Sequence, residues 1–478
     1  MGERFDVVVI GAGPGGFRAA KRCAQRGASV AVIEKEFVGG TCLNWGCIPT
    51  KTMKSSAEAI RKAKQLKTYG IDFNGEIQAN FKAIMARKNR VVATLVSGIQ
   101  KAFKTGQVTL IKGTGQVVDP HLVQVVDKAG ESQEVVGDKL ILATGSRPQG
   151  LQNLSFDGHH ILSSDDILKL ESIPRKIIIL GGGVIGAEFA FIFKQFGSDV
   201  TVVEAMDRLI PLPNVDLDMS KTLLREMKKN KIAVHLKTTI VGYEQTASGQ
   251  VMAILGPSPF YEQASPASGQ KSQLQADAIF LTVGRAPNSE GIGLAQMGVG
   301  LDDKGWVLAN ENMETQVADV YAIGDVLGPK KIMLAHVASM EGLVAMENCL
   351  GGQRQMDYGA VPSGIYTFPE VADVGLTEGE TMAAGIDYSA DTFLFRELGM
   401  SQAKGEIAGQ IKMITKRPSG RVLGVHIIGE HATELIAEAV LAIKMGATAQ
   451  DLAETIHAHP TLTEGLWEVA RKSLSHVG

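Results

Sequence analysis

A glycine-rich turn between an apolar strand and a helix occurs twice in this chain, and it constrains the fold more than any other feature. The first copy follows a strand predicted over Asp6–Ile10 and precedes a second strand, Ser29–Ile33, that ends in Glu34. Its glycines, spaced GxGxxG, are Gly11, Gly13 and Gly16. The first makes the turn, the second lets the backbone approach a pyrophosphate, and the third packs helix on strand. With an acid at the end of the second strand, the pattern predicts a Rossmann unit that binds a dinucleotide.

The second copy repeats the same spacing in the middle of the chain. Its glycines are Gly181, Gly183 and Gly186. Glu204 follows the first of them at the same distance in sequence as Glu34 follows Gly11. Two units predict two dinucleotides, one held tightly and one exchanging. An acid at the end of the second strand suits a ribose diol and opposes a 2′-phosphate, which favours NAD over NADP, although the nearby Arg208 keeps NADP open.

Two of the four cysteines lie close together in the stretch GGTCLNWGCIPTK, residues 39–51. In a regular helix the Cα atoms of Cys42 and Cys47 would be about 8–9 Å apart, whereas a disulfide needs roughly 4.4–6.8 Å. If the two pair, the backbone must leave the helix, and Gly46 and Pro49 permit that. The alternatives to a disulfide are that the two thiols are unrelated or that they form part of a metal site. A zinc site normally needs four ligands, and these two cysteines would supply only two of them.

Composition excludes several classes of protein. The net charge of −3 gives no basic footprint for nucleic acid or an anionic membrane. Four cysteines in 478 residues do not form a disulfide scaffold, which favours a reducing, cytoplasmic compartment with Cys23 and Cys349 as buried bystanders. The most apolar stretch, Ile177–Phe193, is broken by three consecutive glycines and by Glu188, so we predict no membrane span there.

The pattern along the chain predicts an α/β fold: two Rossmann-like dinucleotide-binding domains and a C-terminal antiparallel α+β domain. The predicted boundaries are 1–149, 150–278, 279–349 for a return to the first domain, and 350–478. The last part has no glycine-rich loop, so an interface role is expected. Further predicted elements are helices over Ser55–Lys67, Ile77–Phe103, Glu434–Lys444 and Leu462–Ser473, a small antiparallel sheet containing Gln107–Ile111 and Leu122–Val126, buried strands over Leu140–Ala143 and Ala278–Val283, C-terminal strands over Ile411–Ile414 and Val422–Ile428, and a hairpin loop over Gly256–Gln273.

A histidine and a carboxylate near the C-terminus form a candidate general base. His459 precedes Pro460, which disfavours helical geometry, and Glu464 follows five residues later. A histidine oriented by a carboxylate is the usual base for a thiol. A structural histidine or a metal ligand would fit the same residues.

Three segments of the chain resemble motifs of the flavin disulfide reductases. GGTCLNWGCIPTK resembles their active-site signature and is most similar to the dihydrolipoamide dehydrogenase branch, VYAIGDV (320–326) resembles their second flavin motif, and HAHPTLTE (457–464) resembles their base motif. The resemblance implies that dihydrolipoyl thiols attack a Cys42–Cys47 disulfide and that electrons pass through FAD to NAD⁺. It implies Cys42 as the interchange thiol, Cys47 as the thiol beside the flavin, His459 as base with Glu464 as its partner, and a structural His457.

The resemblance also implies the cofactor contacts. Those to FAD would come from Gly11, Gly13, Gly16, Glu34, Lys51, Gly115, Thr144, Gly145, Asp325, Ala335 and His336. Those to NAD would come from Gly181, Gly183, Gly186, Glu188, Glu204 and Gly284.

The resemblance further implies a homodimer in which His459 comes from the partner chain. The other expected partners are lipoyl domains of 2-oxoacid dehydrogenase complexes or the glycine cleavage lipoyl protein. Glutathione reductase and mercuric reductase are the enzymatic alternatives. The first typically uses NADPH, and the second adds a C-terminal cysteine pair that the ending KSLSHVG lacks. A flavoprotein with only a structural role in a complex is the alternative outside enzymes.

Overall fold

A computed structural model describes residues 2–261 and 272–476 of this chain. The strands are β1 (Glu3–Ile10), β2 (Val30–Glu34), β3 (Val108–Lys112), β4 (Thr114–Asp119), β5 (Leu122–Val126), β6 (Ser132–Leu142), β7 (Ser146–Pro148), β8 (Ile161–Leu162), β9 (Lys176–Leu180), β10 (Asp199–Val203), β11 (Ala233–His235), β12 (Thr238–Gln245), β13 (Val251–Pro257), β14 (Gln273–Ala276), β15 (Ala278–Leu281), β16 (Arg285–Pro287), β17 (Val320–Ala322), β18 (Ser363–Ile365), β19 (Glu370–Gly375), β20 (Tyr388–Leu394), β21 (Gln410–Lys416) and β22 (Arg421–Gly429).

The α-helices are α1 (Pro14–Gln25), α2 (Gly40–Asn44), α3 (Cys47–Ala63), α4 (Phe81–Thr105), α5 (Ser164–Ile167), α6 (Val184–Phe196), α7 (Leu217–Lys229), α8 (Ala335–Cys349), α9 (Glu378–Ala383), α10 (Gly399–Lys404), α11 (Ala432–Met445), α12 (Ala449–Glu454) and α13 (Glu464–Ser473). Single 3₁₀ turns lie at Leu66–Tyr69, Gly324–Leu327, Phe395–Glu397 and Leu474–His476. No helix of the described residues has both the length and the apolar character that a membrane crossing requires.

The chain forms two compact units, and the first comprises residues 1–53, 82–149 and 284–357. Its main sheet has the order β3-β2-β1-β6-β5-β4, and β17 pairs with β6. Strands β1, β2, β3, β6 and β17 run parallel, with Val7 opposite Val30 on β2, whereas β4, β5 and β6 pair antiparallel. The side chains of Val7–Ile10 are buried, as the continuous apolar run predicts for a strand covered on both faces.

The second unit comprises residues 54–81, 150–283 and 358–478, and its described residues form three sheets. One is parallel, in the order β11-β10-β9-β15-β8, and it carries the second glycine-rich turn between β9 and α6. A three-stranded antiparallel sheet, β12-β13-β14, covers a core with Ile178 and Ile240. The third, β18-β19-β22-β21-β20, is antiparallel and packs on α11 and α13 around Phe395 and Met413. The predicted fold class is therefore confirmed.

Two local predictions need correction, and one lies outside the described residues. The prediction that Gln107–Ile111 belongs to an antiparallel sheet is wrong, because β3 pairs in parallel with β2 at the edge of the main sheet. The chain between these strands runs through helices, and such a crossover returns the next strand in the same direction. The helix predicted from Ser55 begins earlier, at Cys47. Of the hairpin loop predicted over Gly256–Gln273, residues 262–271 lie outside the described chain.

Candidate active site

The two motif cysteines lie on either side of a break between α2 and α3. Gly39 has a φ of 96°, a left-handed conformation that glycine adopts without strain, and it is the N-cap of the short α2. The Asn44 amide donates to the carbonyl oxygens of Val38 at 3.1 Å and Gly40 at 2.9 Å, which fixes this turn. Helix α2 ends at Asn44 with Trp45 as its C-cap, and α3 begins at Cys47. The backbone between the cysteines therefore leaves regular helix, as a disulfide between them would require.

Both cysteines are reduced thiols and partly buried, and they contact each other. A hydrogen bond between the Cys42 and Cys47 thiols, followed by burial and by the neighbouring charge of Cys47, raises the pKa of Cys42. The charge of Lys51 lowers that pKa, and the charge of Asp325 raises it further. Cys47 stands at the N-terminus of α3, where the helix dipole stabilises negative charge. The arrangement therefore keeps the proton on Cys42 and makes Cys47 the better place for a thiolate.

The first glycine-rich turn has the close contacts that its spacing predicts. A Cβ on Gly11 would lie 2.2 Å from the carbonyl oxygen of Ala143, and one on Gly16 would lie 2.0 Å from that of Gly11. Gly13 caps α1, and no side chain among the described residues caps that helix end. Glu34 accepts hydrogen bonds from the backbone N–H groups of residues 12 and 36, both at 2.8 Å. The turn thus offers helix N–H groups to a phosphate and fixes a carboxylate beside them.

The second turn reproduces this geometry in the second unit. A Cβ on Gly181 would lie 2.5 Å from the carbonyl oxygen of Thr282, and one on Gly186 would lie 1.9 Å from that of Gly181. Gly183 caps α6. Glu204 is 5% exposed and accepts from the N–H groups of residues 182 and 206, the counterparts of 12 and 36. Each carboxylate oxygen has a second lone pair, which a ribose hydroxyl could use.

Arg208 does not point to a phosphate site. Its guanidinium donates to the carbonyl oxygens of Leu212 at 2.7 Å and Val215 at 2.9 Å, so it holds the loop that leads to α7. A 2′-phosphate beside Glu204 would meet a carboxylate and would have to compete for that guanidinium. The geometry favours a coenzyme without this phosphate.

The residues assigned to the flavin lie in the first unit, around the edge where its parallel strands end. Gly115 is in β4, and Ala335 and His336 begin α8. The Thr144 hydroxyl is buried and meets no hydrogen-bond partner within the described chain. Gly145 has a φ of 71°, and a Cβ there would meet no other described atom within 4 Å apart from chain neighbours. A buried hydroxyl without a partner beside an open glycine fits a bound polar group such as that of FAD.

A hydrogen-bonded set around Asp325 was missed by the sequence reasoning. The Ser146 hydroxyl donates to Asp325 at 2.7 Å, and the Arg285 guanidinium donates to the Ser146 hydroxyl at 2.6 Å and lies 3.8 Å from Asp325. Strands β7 and β16, which hold Ser146 and Arg285, pair antiparallel. The two strands lie in the segments ATGSRP (143–148) and GRAPN (284–288), whose similarity in sequence is a signal that could have indicated the pairing. Ser146 and Arg285 fix the orientation of the carboxylate.

His459 and Glu464 form the predicted pair. Nδ1 of His459 lies 2.8 Å from one oxygen of Glu464, whose other oxygen accepts from the N–H of Thr461 at 2.8 Å. That N–H first, and the hydrogen bond to His459 second, lower the pKa of Glu464. Because the carboxylate can only accept, Nδ1 carries the proton and Nε2 is left as an acceptor. The His459 side chain is 79% exposed, so this nitrogen is open to a reacting thiol.

His457 has a different environment from its neighbour. Its side chain is 7% exposed, with Nδ1 2.9 Å from the carbonyl oxygen of Thr455 and Nε2 2.9 Å from Glu438. Both ring nitrogens are therefore used inside the fold, which matches a structural role.

The structure separates the predicted residues into two groups. Cys42, Cys47, Lys51 and Asp325 come together in the first unit, and the His459–Glu464 pair lies in the second, which contains no cysteine. Among the predicted NAD residues, Gly284 belongs to the first unit. Gly284 has a φ of 141°. Another of these residues, Glu188, is buried, and its carboxylate accepts a hydrogen bond from the Tyr366 N–H at 3.0 Å.

Comparison with known proteins gives matches over nearly the whole chain. A family model described as pyridine nucleotide-disulphide oxidoreductase matches residues 5–342, and its dimerisation domain matches residues 361–470. A mitochondrial dihydrolipoyl dehydrogenase of Dictyostelium discoideum is 38% identical over 98% of this chain and 94% of its own length. The dihydrolipoyl dehydrogenase of Bacillus subtilis is 38% identical over 98% of each chain. The crystal structure of LpdA from Mycobacterium tuberculosis superposes with a TM-score of 0.88 at 25% identity, covering 98% of this chain and 99% of that one.

Proposed function

This chain belongs to the pyridine nucleotide-disulphide oxidoreductase family, and from that premise we propose that it is a dihydrolipoyl dehydrogenase. It would oxidise dihydrolipoyl groups to lipoyl groups with FAD and NAD⁺ as cofactors. The observation that carries the proposal is the contacting Cys42–Cys47 pair at the start of a helix, in a chain with two dinucleotide turns. Bound FAD and NAD⁺ supply the route by which the two electrons leave the dithiol and appear as NADH.

The thiol chemistry begins with the oxidised Cys42–Cys47 pair. A substrate thiolate attacks the sulfur of Cys42, the Cys42–Cys47 bond breaks, and Cys47 leaves as a thiolate that the N-terminus of α3 stabilises. The second substrate thiol then attacks the substrate sulfur of the mixed disulfide. Cys42 is released and takes up a proton, so the substrate loses two electrons and two protons in total. The raised pKa of Cys42 supports this assignment, because that sulfur holds its proton once the exchange is complete.

His459 acts as the base for the attacking thiols. Its Nε2 accepts the proton, and the carboxylate of Glu464 stabilises the resulting imidazolium through Nδ1. The base and the cysteines lie in different units of the chain, and the C-terminal region matches a dimerisation domain. We infer that the working enzyme is a homodimer in which His459 of the partner subunit serves Cys42.

Residues near each dinucleotide turn would hold the cofactors. The N–H groups at the start of α1, together with Glu34, Thr144 and Asp325, fit FAD, and Lys51 places a positive charge near the thiols. The N-terminus of α6 and Glu204 fit NAD⁺.

A turnover assay tests this function directly. The purified flavoprotein should reduce NAD⁺ with dihydrolipoamide at a kcat/KM at least about 100-fold above that for glutathione disulfide with NADPH or for Hg(II) with NADPH, because its thiol site and coenzyme site both match the first reaction. Lipoyl domains of pyruvate, 2-oxoglutarate and branched-chain dehydrogenases and of glycine cleavage should then be compared as substrates to identify the complex served. Equal or better turnover of glutathione disulfide or Hg(II) would refute the assignment.

A further inference from the structure

Two cysteines from opposite ends of the first unit's sequence meet inside that unit, away from the motif cysteines. Cys23 lies in α1, and Cys349 is the last residue of α8. Their sulfur atoms are 4.0 Å apart, and the two residues are 0% and 4% exposed. The Cys349 thiol also donates to the carbonyl oxygen of Met346 at 3.2 Å. Neither sulfur takes part in the chemistry proposed above.

The sulfurs meet because α1 and α8 pack closely through small residues. A Cβ on Gly15 would lie 2.9 Å from the carbonyl oxygen of Ala338, and one on Gly342 would lie 2.5 Å from that of Gly15. Gly15, Ala19 and Cys23 follow one another at intervals of four and therefore share a face of α1. The contacts advance in the same direction along both helices, so the helices run parallel and the thiols lie at their C-terminal ends.

We propose that Cys23 and Cys349 form a second oxidisable dithiol, which a hydroperoxide converts to a disulfide that links α1 to α8. The reaction balances as two thiols and one hydroperoxide giving one disulfide, one alcohol and one water. The first sulfur attacks the peroxide, the O–O bond breaks, the alcohol leaves, and a sulfenic acid forms. The second sulfur attacks that sulfur, the S–O bond breaks, and water carries away the oxygen with the thiol proton.

The two sulfur atoms are close enough for a small movement to join them. A disulfide has an S–S bond of about 2.0 Å, so the sulfurs must approach by about 2 Å. Rotation about the Cα–Cβ bond of Cys349 can supply this movement, since α8 ends there and the bond to release is the one to Met346. The hydrogen bond to Cys349, and burial after it, raise the pKa of Cys23, so its proton must leave before the disulfide can close.

The linked pair would leave the dinucleotide turn intact. Cys23 lies near the end of α1 opposite to Gly13, at a distance of about 15 Å along the helix. Oxidation should therefore proceed without loss of bound FAD or of dihydrolipoamide turnover. It should also stabilise the unit, because a link between residues so distant in sequence restricts the unfolded chain.

Peptide mass spectrometry of the holoenzyme provides the test. After exposure to hydrogen peroxide, remaining thiols are alkylated in denaturant and the protein is digested with trypsin without reductant. We expect a cross-linked species of residues 23–26 and 332–354, abolished by dithiothreitol and formed more slowly than the Cys42–Cys47 disulfide, because its sulfurs are more deeply buried. The motif cysteines both lie in the tryptic peptide 36–51, which serves as the internal positive control.

Two variants separate the disulfide from general oxidation. Cys349→Ala should lose the cross-link, and so should Cys23→Ala, while each retains turnover and the 36–51 disulfide. In the wild type, peroxide should raise the melting temperature by several degrees in a way that dithiothreitol reverses, and neither variant should show this rise. The proposal is wrong if the two sulfurs stay alkylatable once the 36–51 peptide is fully oxidised and exposure is prolonged, or if they gain oxygen without linking. Both outcomes are read from the wild type, so they hold even if a variant fails to fold.

Discussion

Two glycines of the second dinucleotide turn should have different effects when replaced by alanine. A Cβ on Gly186 would lie 1.9 Å from the Gly181 carbonyl oxygen and 2.8 Å from the Thr282 hydroxyl. A Cβ on Gly183 would meet no other described atom within 4 Å, apart from its own helix and chain neighbours. The methyl group of Gly186→Ala would therefore clash with packed backbone, whereas that of Gly183→Ala would enter the space where a pyrophosphate would lie.

For Gly186→Ala the magnitude follows from the clash. Real Cβ contacts almost never fall below 3.0 Å, so α6 must move by at least 1.1 Å (3.0 − 1.9) from the turn. Overpacking of this kind costs about 3 kcal/mol, and the helix propensity of alanine returns about 1 kcal/mol, which leaves a loss of about 2 kcal/mol. Gly183 has a φ of −71°, which alanine adopts freely, so Gly183→Ala should leave the free energy of unfolding unchanged or raise it by about 0.5 kcal/mol.

Urea denaturation and NADH titration distinguish the two effects. Gly183→Ala should bind NADH at least about 10-fold more weakly, because the backbone can no longer approach the pyrophosphate, and its urea midpoint should be equal to that of the wild type or slightly higher. Gly186→Ala should lower the midpoint. If Gly183→Ala binds NADH as the wild type does, the turn at the start of α6 is not the coenzyme site. If Gly186→Ala keeps the wild-type urea midpoint, the close packing of helix on strand does not contribute to the free energy of unfolding.

Three further predictions concern charge and the composite site. Burial of Glu58 is outweighed by the hydrogen bond from Lys62 and by the charge of Lys54, which together lower the pKa of Glu58 from 4.5 to about 2. The ionised carboxylate therefore stabilises the fold by at most about 2 kcal/mol after solvent screening, fully above pH 4.5 and less and less as the pH falls toward 2. In urea titrations the stability difference between the wild type and Glu58→Gln should shrink over that pH range, and a constant difference would contradict the assignment. Inactive Cys42→Ser and His459→Ala proteins, refolded together, should recover dihydrolipoamide activity through one intact site per hybrid dimer, whereas sites built within one chain would leave confirmed hybrids inactive. Glu204→Gln should weaken NAD⁺ binding and narrow the preference over NADP⁺ in kcat/KM, and an unchanged ratio would show that this carboxylate does not set the coenzyme.

The sequence alone determined the features that depend on short stretches of chain. Each dinucleotide turn is encoded by closely spaced glycines and an acid at the end of the next strand, and the structure reproduces both, including the backbone contacts of Glu34 and Glu204. The break between Cys42 and Cys47 and the pairing of His459 with Glu464 are equally local. Local backbone conformation and hydrogen bonding decide such features, so their residue types and spacing are sufficient to predict them.

Only the tertiary structure decided the contacts between distant segments. The parallel pairing of β3 with β2 depends on the path of the helices between them, because the residues of a strand do not determine whether it pairs parallel or antiparallel. The same holds for the set of Ser146, Arg285 and Asp325, in which orientation of the carboxylate requires three separate segments to meet. Cys23 and Cys349, interpreted from sequence as separate bystanders, become a pair because small residues let two helices approach closely. Packing of side chains across the fold sets these contacts. Apart from the similarity of the two segments that hold Ser146 and Arg285, the residues around one partner do not identify the other.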